Sequence, residues 1–200
     1  MKYTVKSLGT GILIFFIYSC SDANAIGTIV TIESGHIEGK QNGSLKTFSG
    51  IPYAAPPVGN LRWAPPETVE SWAGIRDATV NSKVCYQPKQ TTEFYDDGLE
   101  ISSMSEDCLT LNVWTRANTT EDKLPVMVWI HGGALVWGSG SEYKGEELTK
   151  RDVILVTVNY RLGPLGYFAH SELNDENNGS SGNQGYRDQI AALRWVQDNI

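Results

Sequence analysis

The sequence predicts an α/β fold built on a mixed central sheet with antiparallel edge strands, of which the chain supplies an incomplete, amino-terminal part. Three observations carry this. Val126–Ile130 and residues 153–158 are apolar on both faces of the pleat, as sheet-centre strands covered by helices on each side must be. Residues 109–115 alternate apolar with polar, as a half-buried edge strand does. Residues 183–200 place Tyr186, Ile190, Leu193 and Val196 on one helical face and turn Arg187, Arg194, Gln197 and Asp198 away from it, with Asn183 as the N-cap. No further strand comes after that helix to flank 153–158, and the helix reaches Ile200 without a stop signal, so the domain reads as truncated.

The elements in chain order begin with an export signal over residues 1–25. Lys2 and Lys6 supply the positive start, residues 8–18 the apolar stretch and Ala23-Asn24-Ala25 the small-residue cleavage site, which puts the mature start at Ile26. An alternative takes Ile17-Tyr18-Ser19-Cys20 as a lipoprotein cleavage box, with Cys20 as a lipid anchor. Neither this stretch nor any later one reaches the roughly 20 apolar residues that span a bilayer. Expected locations are therefore secreted or periplasmic, with lipid anchoring as the alternative. Residues 28–32 and 36–38 bracket Glu33-Ser34-Gly35 as a hairpin, and 146–151 form a short helical turn after Gly145. Residues 53–66, 87–105 and 171–182 are rich in loop-forming types.

Composition narrows the partners. The chain has 16 basic and 23 acidic residues, and loss of 1–25 leaves 14 and 22. Such an acidic surface argues against nucleic acid and anionic membranes. After that cleavage two cysteines remain, Cys85 and Cys108, which in an exported chain most simply form a disulfide. Their spacing and the lack of nearby histidine do not supply a four-ligand zinc set, and no cofactor motif is present. Asn42, Asn118 and Asn178 begin Asn-x-Ser/Thr triplets in predicted loops, which matter only in a eukaryotic secretory pathway. Ser141-Glu-Tyr-Lys144 spells Ser-x-x-Lys, but its companion motifs are missing, and chance explains it.

The segment that carries chemistry is 124–140, LPVMVWIHGGALVWGSG. A bulky strand ends in His131-Gly132-Gly133-Ala134, where the near absence of side chains lets backbone N–H groups approach a ligand. No Gly-x-Ser-x-Gly occurs in the 200 residues, so a loop suited to an oxyanion stands without its nucleophile. The bland alternative is a tight glycine-rich turn with no ligand.

Several blocks in register carry a resemblance: Phe48-Ser49-Gly50-Ile51-Pro52-Tyr53-Ala54, Pro56-Pro57-Val58-Gly59 with Leu61-Arg62-Trp63, Ser105-Glu106-Asp107-Cys108-Leu109-Thr110-Leu111-Asn112-Val113-Trp114, Trp129-Ile130-His131-Gly132-Gly133-Ala134, Asn159-Tyr160-Arg161-Leu162-Gly163 and Gly182-Asn183-Gln184-Gly185. On these the chain resembles the type B carboxylesterase and cholinesterase family of α/β-hydrolases over 27–200. The resemblance implies an amino-terminal portion of a serine esterase acting on small carboxylic esters. Gly133 and Ala134 become oxyanion-hole donors, and Arg62 with Glu106 and Arg161 with Asp188 become structural ion pairs. Cys85 to Cys108 matches the family's first disulfide. The catalytic serine, acid and histidine are expected beyond Ile200, so His36, His131 and His170 all precede the serine and none is the base. Gly98 stands where the cholinesterases carry a choline-binding tryptophan, which favours a general carboxylesterase; Phe94 and Tyr95 substitute only if the loop shifts. The alternative is a non-catalytic adhesion or binding module of the same fold.

Overall fold

The computed structural model describes residues 25–88, 103–176 and 179–200. Residues 1–24 of the signal segment, Cys20 among them, and Phe94, Tyr95, Gly98 and Asn178 lie outside the described residues.

The central sheet has five strands: β3 (Lys40–Asn42), β4 (Leu45–Pro52), β8 (Thr110–Thr115), β10 (Ile154–Val158) and β9 (Val126–Ile130), in that spatial order. β3, β4 and β8 run antiparallel to their neighbours, and β10 pairs with β9 in parallel, Val156 opposite Val128. A second sheet of three strands joins β1 (Ile29–Ile32), β2 (Gly35–Glu38) and β5 (Ile75–Asp77). The expected hairpin is therefore present, antiparallel from Ile29 opposite Glu38 to Ile32 opposite Gly35, but it forms its own sheet instead of an edge of the central one. Two short strands, β6 (Val84–Cys85) and β7 (Met104–Ser105), pair in parallel beside the Cys85–Cys108 disulfide. A bond closing 23 positions stabilises by about 3 kcal/mol in the chain-entropy account.

Two strands exchange the places the sequence suggests. β8 is buried at every residue and sits mid-sheet, not half-exposed at an edge. Its polar residues face partners instead of water: Asn112 Oδ1 accepts from the Gly50 N–H at 2.8 Å, and Asn112 Nδ2 donates to Thr157 Oγ1 at 3.2 Å. The first of these bonds holds the bulge in β4 between Phe48 and Ile51, where Gly50 takes φ +69° and a Cβ would press on the Val80 carbonyl. β9, expected at the sheet centre, lies at one edge of the central sheet among the described residues, with β3 at the other. Met127 and Trp129 on one face and Val126 and Ile130 on the other each remain about 40 % exposed. Apolar periodicity reports that a strand needs cover, not whether these residues supply it.

Three helices come next: α1 (Gly163–Tyr167), α2 (Ser171–Glu176) and α3 (Gln184–Asn199), after a short 3-10 turn at Leu148–Arg151 where a helical turn was expected. α3 docks on a different face from the one its hydrophobicity suggests. Tyr186, Ile190 and Leu193 are nearly half exposed, whereas Gln184, Gly185, Asp188, Ala192 and Trp195 are buried. Asn183 holds the N-cap position without a side-chain cap bond. The reason lies at the buried end. Asp188 must reach Arg161, and Gly185 has no Cβ because one would overlap the Tyr167 hydroxyl and meet the Arg161 carbonyl. At the other end Asn199 Oδ1 accepts from the Glu33 N–H at 2.8 Å and ties α3 to the first hairpin. The core under α3 joins Ile37, Phe48, Ile51, Leu111, Val113, Val156 and Val158 to Ala192 and Trp195. Each large aliphatic side chain there contributes roughly 1.5–3 kcal/mol of burial.

Candidate active site

β9 and β10 are parallel, so both deliver the chain to the same end of the sheet, where open α/β sheets place their ligand sites. β9 empties into His131-Gly132-Gly133-Ala134, and β10 into Asn159-Tyr160-Arg161. The backbone just past β9 is unusual. Gly133 has φ +111°, and Ala134 and Leu135, both with Cβ atoms, have φ +53° and +64°. Two consecutive non-glycine residues in the left-handed region are costly and persist only where their surroundings enforce them, commonly at functional sites.

Those surroundings can be named. Val136 and Trp137 N–H groups both donate to the Gly133 carbonyl, at 2.9 and 3.2 Å, closing the turn. The Gly163 N–H donates to the Leu135 carbonyl at 2.7 Å, and the Tyr160 hydroxyl donates to the His131 carbonyl at 2.7 Å, so the exit of β10 holds the exit of β9 at two points. Burial pushes the Tyr160 phenol up to about 12, which keeps it a donor. Further along, Asn159 Oδ1 accepts from the Gly140 N–H at 2.8 Å and from Ser139 Oγ at 3.2 Å. The carbonyl of Asn159 accepts from the buried Tyr53 hydroxyl at 2.6 Å.

His131 sets the direction of the first amide. Its ring is buried, stacks on Tyr160 with centroids 4.4 Å apart, and places Nδ1 2.8 Å from the Gly132 carbonyl. A carbonyl only accepts, so Nδ1 carries the proton. Across a planar trans peptide the N–H points opposite to the C=O; pinning the Gly132 carbonyl toward His131 therefore turns the Gly133 N–H the other way. Among the described residues, neither the Gly133 nor the Ala134 N–H donates to any acceptor. Gly133, Ala134 and the exposed Gly132 leave that side of the loop without bulk. Successive amides in left-handed backbone form a concavity suited to an anion.

Burial also lowers the His131 pKa, with the Gly132 carbonyl opposing. The folded chain then holds a neutral ring where the unfolded chain would take up a proton below about pH 6.5. Stability from this group is present above that pH and lost as pH falls through it toward the lower folded value, with a slope of at most about 1.4 kcal/mol per pH unit. Chemical denaturation between pH 7 and 5 is expected to show this loss, and His131→Gln to flatten it. An unchanged slope in the variant would mean that His131 is not the titrating group.

The other residues singled out by sequence lie around this loop or away from it. Arg62 Nε donates to Glu106 Oε2 at 2.8 Å on a partly exposed surface, with the guanidinium 5.8 Å from the Trp63 ring centroid. Arg161 and Asp188 form a buried two-point pair, Nε to Oδ2 at 2.8 Å and Nη2 to Oδ1 at 2.7 Å, and the Arg161 N–H adds a third bond. Burial pushes the Asp188 carboxyl up, while its bonds to Arg161 oppose the shift. Arg161 Nη1 also donates to the carbonyls of Arg62 and Ala64, which fastens the 62–64 loop to α3. Ser141 Oγ pairs with Ser139 Oγ at 2.6 Å, and His36 and His170 lie in exposed hydrogen bonds away from the loop. Among the described residues no serine hydroxyl hydrogen-bonds to a histidine ring, and no cluster of three or more His, Cys, Asp or Glu is arranged for a metal. No helix among the described residues is long and apolar enough to cross a membrane. Of the other two triplets, Asn42 ends strand β3 instead of lying in a loop, and Asn118 is an exposed loop residue. Sequence reasoning missed Gln87, Asn159 and Tyr160 as loop supports; polar residues set just past an apolar run are the signal that marks the last two.

A sequence profile described as "Carboxylesterase family" matches residues 27–200. The chain is 48 % identical over 171 residues to the pyrethroid hydrolase Ces2e of Rattus norvegicus, covering 82 % of this chain and 29 % of that protein. It is 45 % identical over 171 residues to the fumonisin B1 esterase of Sphingopyxis macrogoltabida, covering 84 % and 31 %. Among solved structures, a PNB esterase superposes with a TM-score of 0.78 at 43 % identity, covering 86 % of this chain and 35 % of the other. The chain thus spans about a third of the length of the relatives it matches. On the match across its described strands, loop and helices, this chain belongs to the carboxylesterase family and carries the amino-terminal part of its α/β-hydrolase fold.

Proposed function

We propose that the chain is the amino-terminal portion, residues 26–200 after removal of 1–25, of an exported enzyme that hydrolyses small carboxylic esters by serine-type acyl transfer to water. Gly133 and Ala134 donate two oxyanion-hole hydrogen bonds from their backbone N–H groups. The nucleophile, acid and base are carried by sequence beyond Ile200, and the 200 residues alone are inactive. The observation that carries the reading is the pair of amides on left-handed backbone, without an acceptor among the described residues, at the carboxyl ends of two parallel strands. As the ester carbonyl becomes tetrahedral its oxygen turns negative, and pre-aimed donors stabilise that charge without reorganising; one such donor contributes about 3–4 kcal/mol where it has been removed. The apolar faces left exposed on β9 and α3 fit the same reading, since a longer domain would cover them. Location is secreted or periplasmic, with lipid anchoring through Cys20 as the alternative.

Turnover of p-nitrophenyl acetate tests this. Purified 26–200 is expected to match buffer, and the longer reading frame to hydrolyse the ester and be silenced by a serine-directed sulfonyl fluoride. Activity in 26–200 that Ser141→Ala abolishes, or a longer frame that lacks a Gly-x-Ser-x-Gly serine, overturns the proposal.

A further inference from the structure

Gln87 belongs to none of the sequence blocks that mark the family resemblance, yet its side chain bridges the disulfide-bonded segment and the loop after β9. It lies two residues past Cys85, just after β6. Its Nε2 donates to the Cys85 carbonyl and to the Gly138 carbonyl, each at 3.1 Å, while its Oε1 accepts from the Gly138 N–H at 2.9 Å. Two carbonyl acceptors and one N–H donor leave a single orientation for the amide. The side chain therefore satisfies both polar groups of the Gly138 backbone, as a neighbouring strand would, and ties them to the disulfide-bonded segment.

Gly138 is where this bears on the oxyanion loop. Its φ is +112°, and a Cβ there would overlap His131 Nδ1 and come within 2.8 Å of the Gly132 carbonyl. The Gly138 backbone thus rests against the imidazole-to-carbonyl bond that orients the Gly132–Gly133 peptide. Loosening Gly138 gives His131 room to turn, and with it the plane that aims the Gly133 N–H. Gly138 also immediately follows the turn closed on Gly133 by Val136 and Trp137.

Resting on the hydrolase reading above, we propose that Gln87 is a positioning residue for the oxyanion loop: by clamping Gly138 to the Cys85 segment, it holds His131 and the Gly133 amide in the orientation that receives the developing oxyanion. It touches neither substrate nor reacting atoms, so its loss acts on the transition state and not on ester binding.

Two variants separate this from a general structural role. Gln87→Met has similar bulk and makes none of the three bonds; Gln87→Glu keeps the acceptor for the Gly138 N–H and loses both donors. In the 15N-labelled 200-residue chain, Gln87→Met is expected to abolish exchange protection of the Gly138 amide and shift or broaden the Gly133 and Ala134 resonances, with Gln87→Glu intermediate. Unchanged Gly133 and Ala134 resonances overturn the proposal, whatever the activity of the longer protein. In the longer gene product, kcat for p-nitrophenyl acetate is expected to fall on the order of 10- to 100-fold with KM unchanged. Affinity for an alkyl trifluoromethyl ketone, whose serine adduct bears an oxyanion, should fall in parallel. Equal loss in kcat, KM and thermal midpoint, or no loss in ketone affinity, overturns it. An inactive parent enzyme would instead refute the hydrolase reading and leave the amide spectra to decide the clamp.

Discussion

Asp188→Ala is expected to cost about 3–5 kcal/mol of folding stability, the largest single effect in the chain, because it strands a guanidinium in the interior. Asp188 is fully buried and Arg161 nearly so. The pair makes three hydrogen bonds, and Arg161 makes two more to the Arg62 and Ala64 carbonyls. Losing the carboxylate leaves a charge with no water to solvate it, so either the guanidinium drags the 62–64 loop and α3 apart or the domain bears the full desolvation penalty. Replacing both partners, Arg161→Met with Asp188→Leu, should recover much of the loss, since a buried pair contributes little net stability over an apolar pair of similar volume. Urea denaturation of the singles and the double gives a coupling energy. A single-variant loss under about 1 kcal/mol would mean that the pair is hydrated and that the interpretation of α3 docking is wrong.

Gly133→Ala is expected to come second in size, and to strike activity harder than stability. Its Cβ would overlap the Trp137 carbonyl oxygen, and at φ +111° an L side chain is strained whatever the space. Strain of this kind costs about 1–3 kcal/mol and is relieved only by turning the peptide that aims the donor. Losing one oxyanion donor lowers kcat about 10²- to 10³-fold, so that is the expected drop in the longer enzyme. Gly132 supplies the control. A Cβ there meets nothing within 4 Å, so Gly132→Ala should stay within about 0.5 kcal/mol of the parent in stability. Equal thermal shifts for the two alanines, or full activity in Gly133→Ala, would sink the assignment of these amides.

Much of the site was legible because its chemistry is local. A strand of apolar residues followed by His-Gly-Gly-Ala states in the primary sequence that bare backbone stands at a strand's end, and the left-handed φ values begin inside that stretch, at Gly133 and Ala134, and run one residue past it to Leu135. The first hairpin was legible for the same reason: its turn and both strands lie within ten residues. The β3 to β4 hairpin escaped notice, although it is equally local, because Lys40–Asn42 is exposed throughout and carries no apolar alternation.

The supports of the loop were not legible, because each joins residues far apart in the chain. Gln87 to Gly138 spans 51 positions, and Tyr160 to His131 spans 29. Nothing in an isolated glutamine announces that it will replace a neighbouring strand for one glycine.

By itself, the sequence determined that the chain builds strands and a helix of an α/β domain, where its small-residue loop falls, and which family it resembles, since these depend on side-chain size and short-range periodicity. Only the tertiary structure decided that β8 rather than β9 lies inside, that α3 buries Asp188 and Trp195 instead of Ile190 and Leu193, and that the Gly133 and Ala134 amides find no acceptor among the described residues. Apolar periodicity measures how much a surface gains from cover. Which surface receives cover, and which buried polar groups find partners, is settled by distant segments arriving together in one packed geometry.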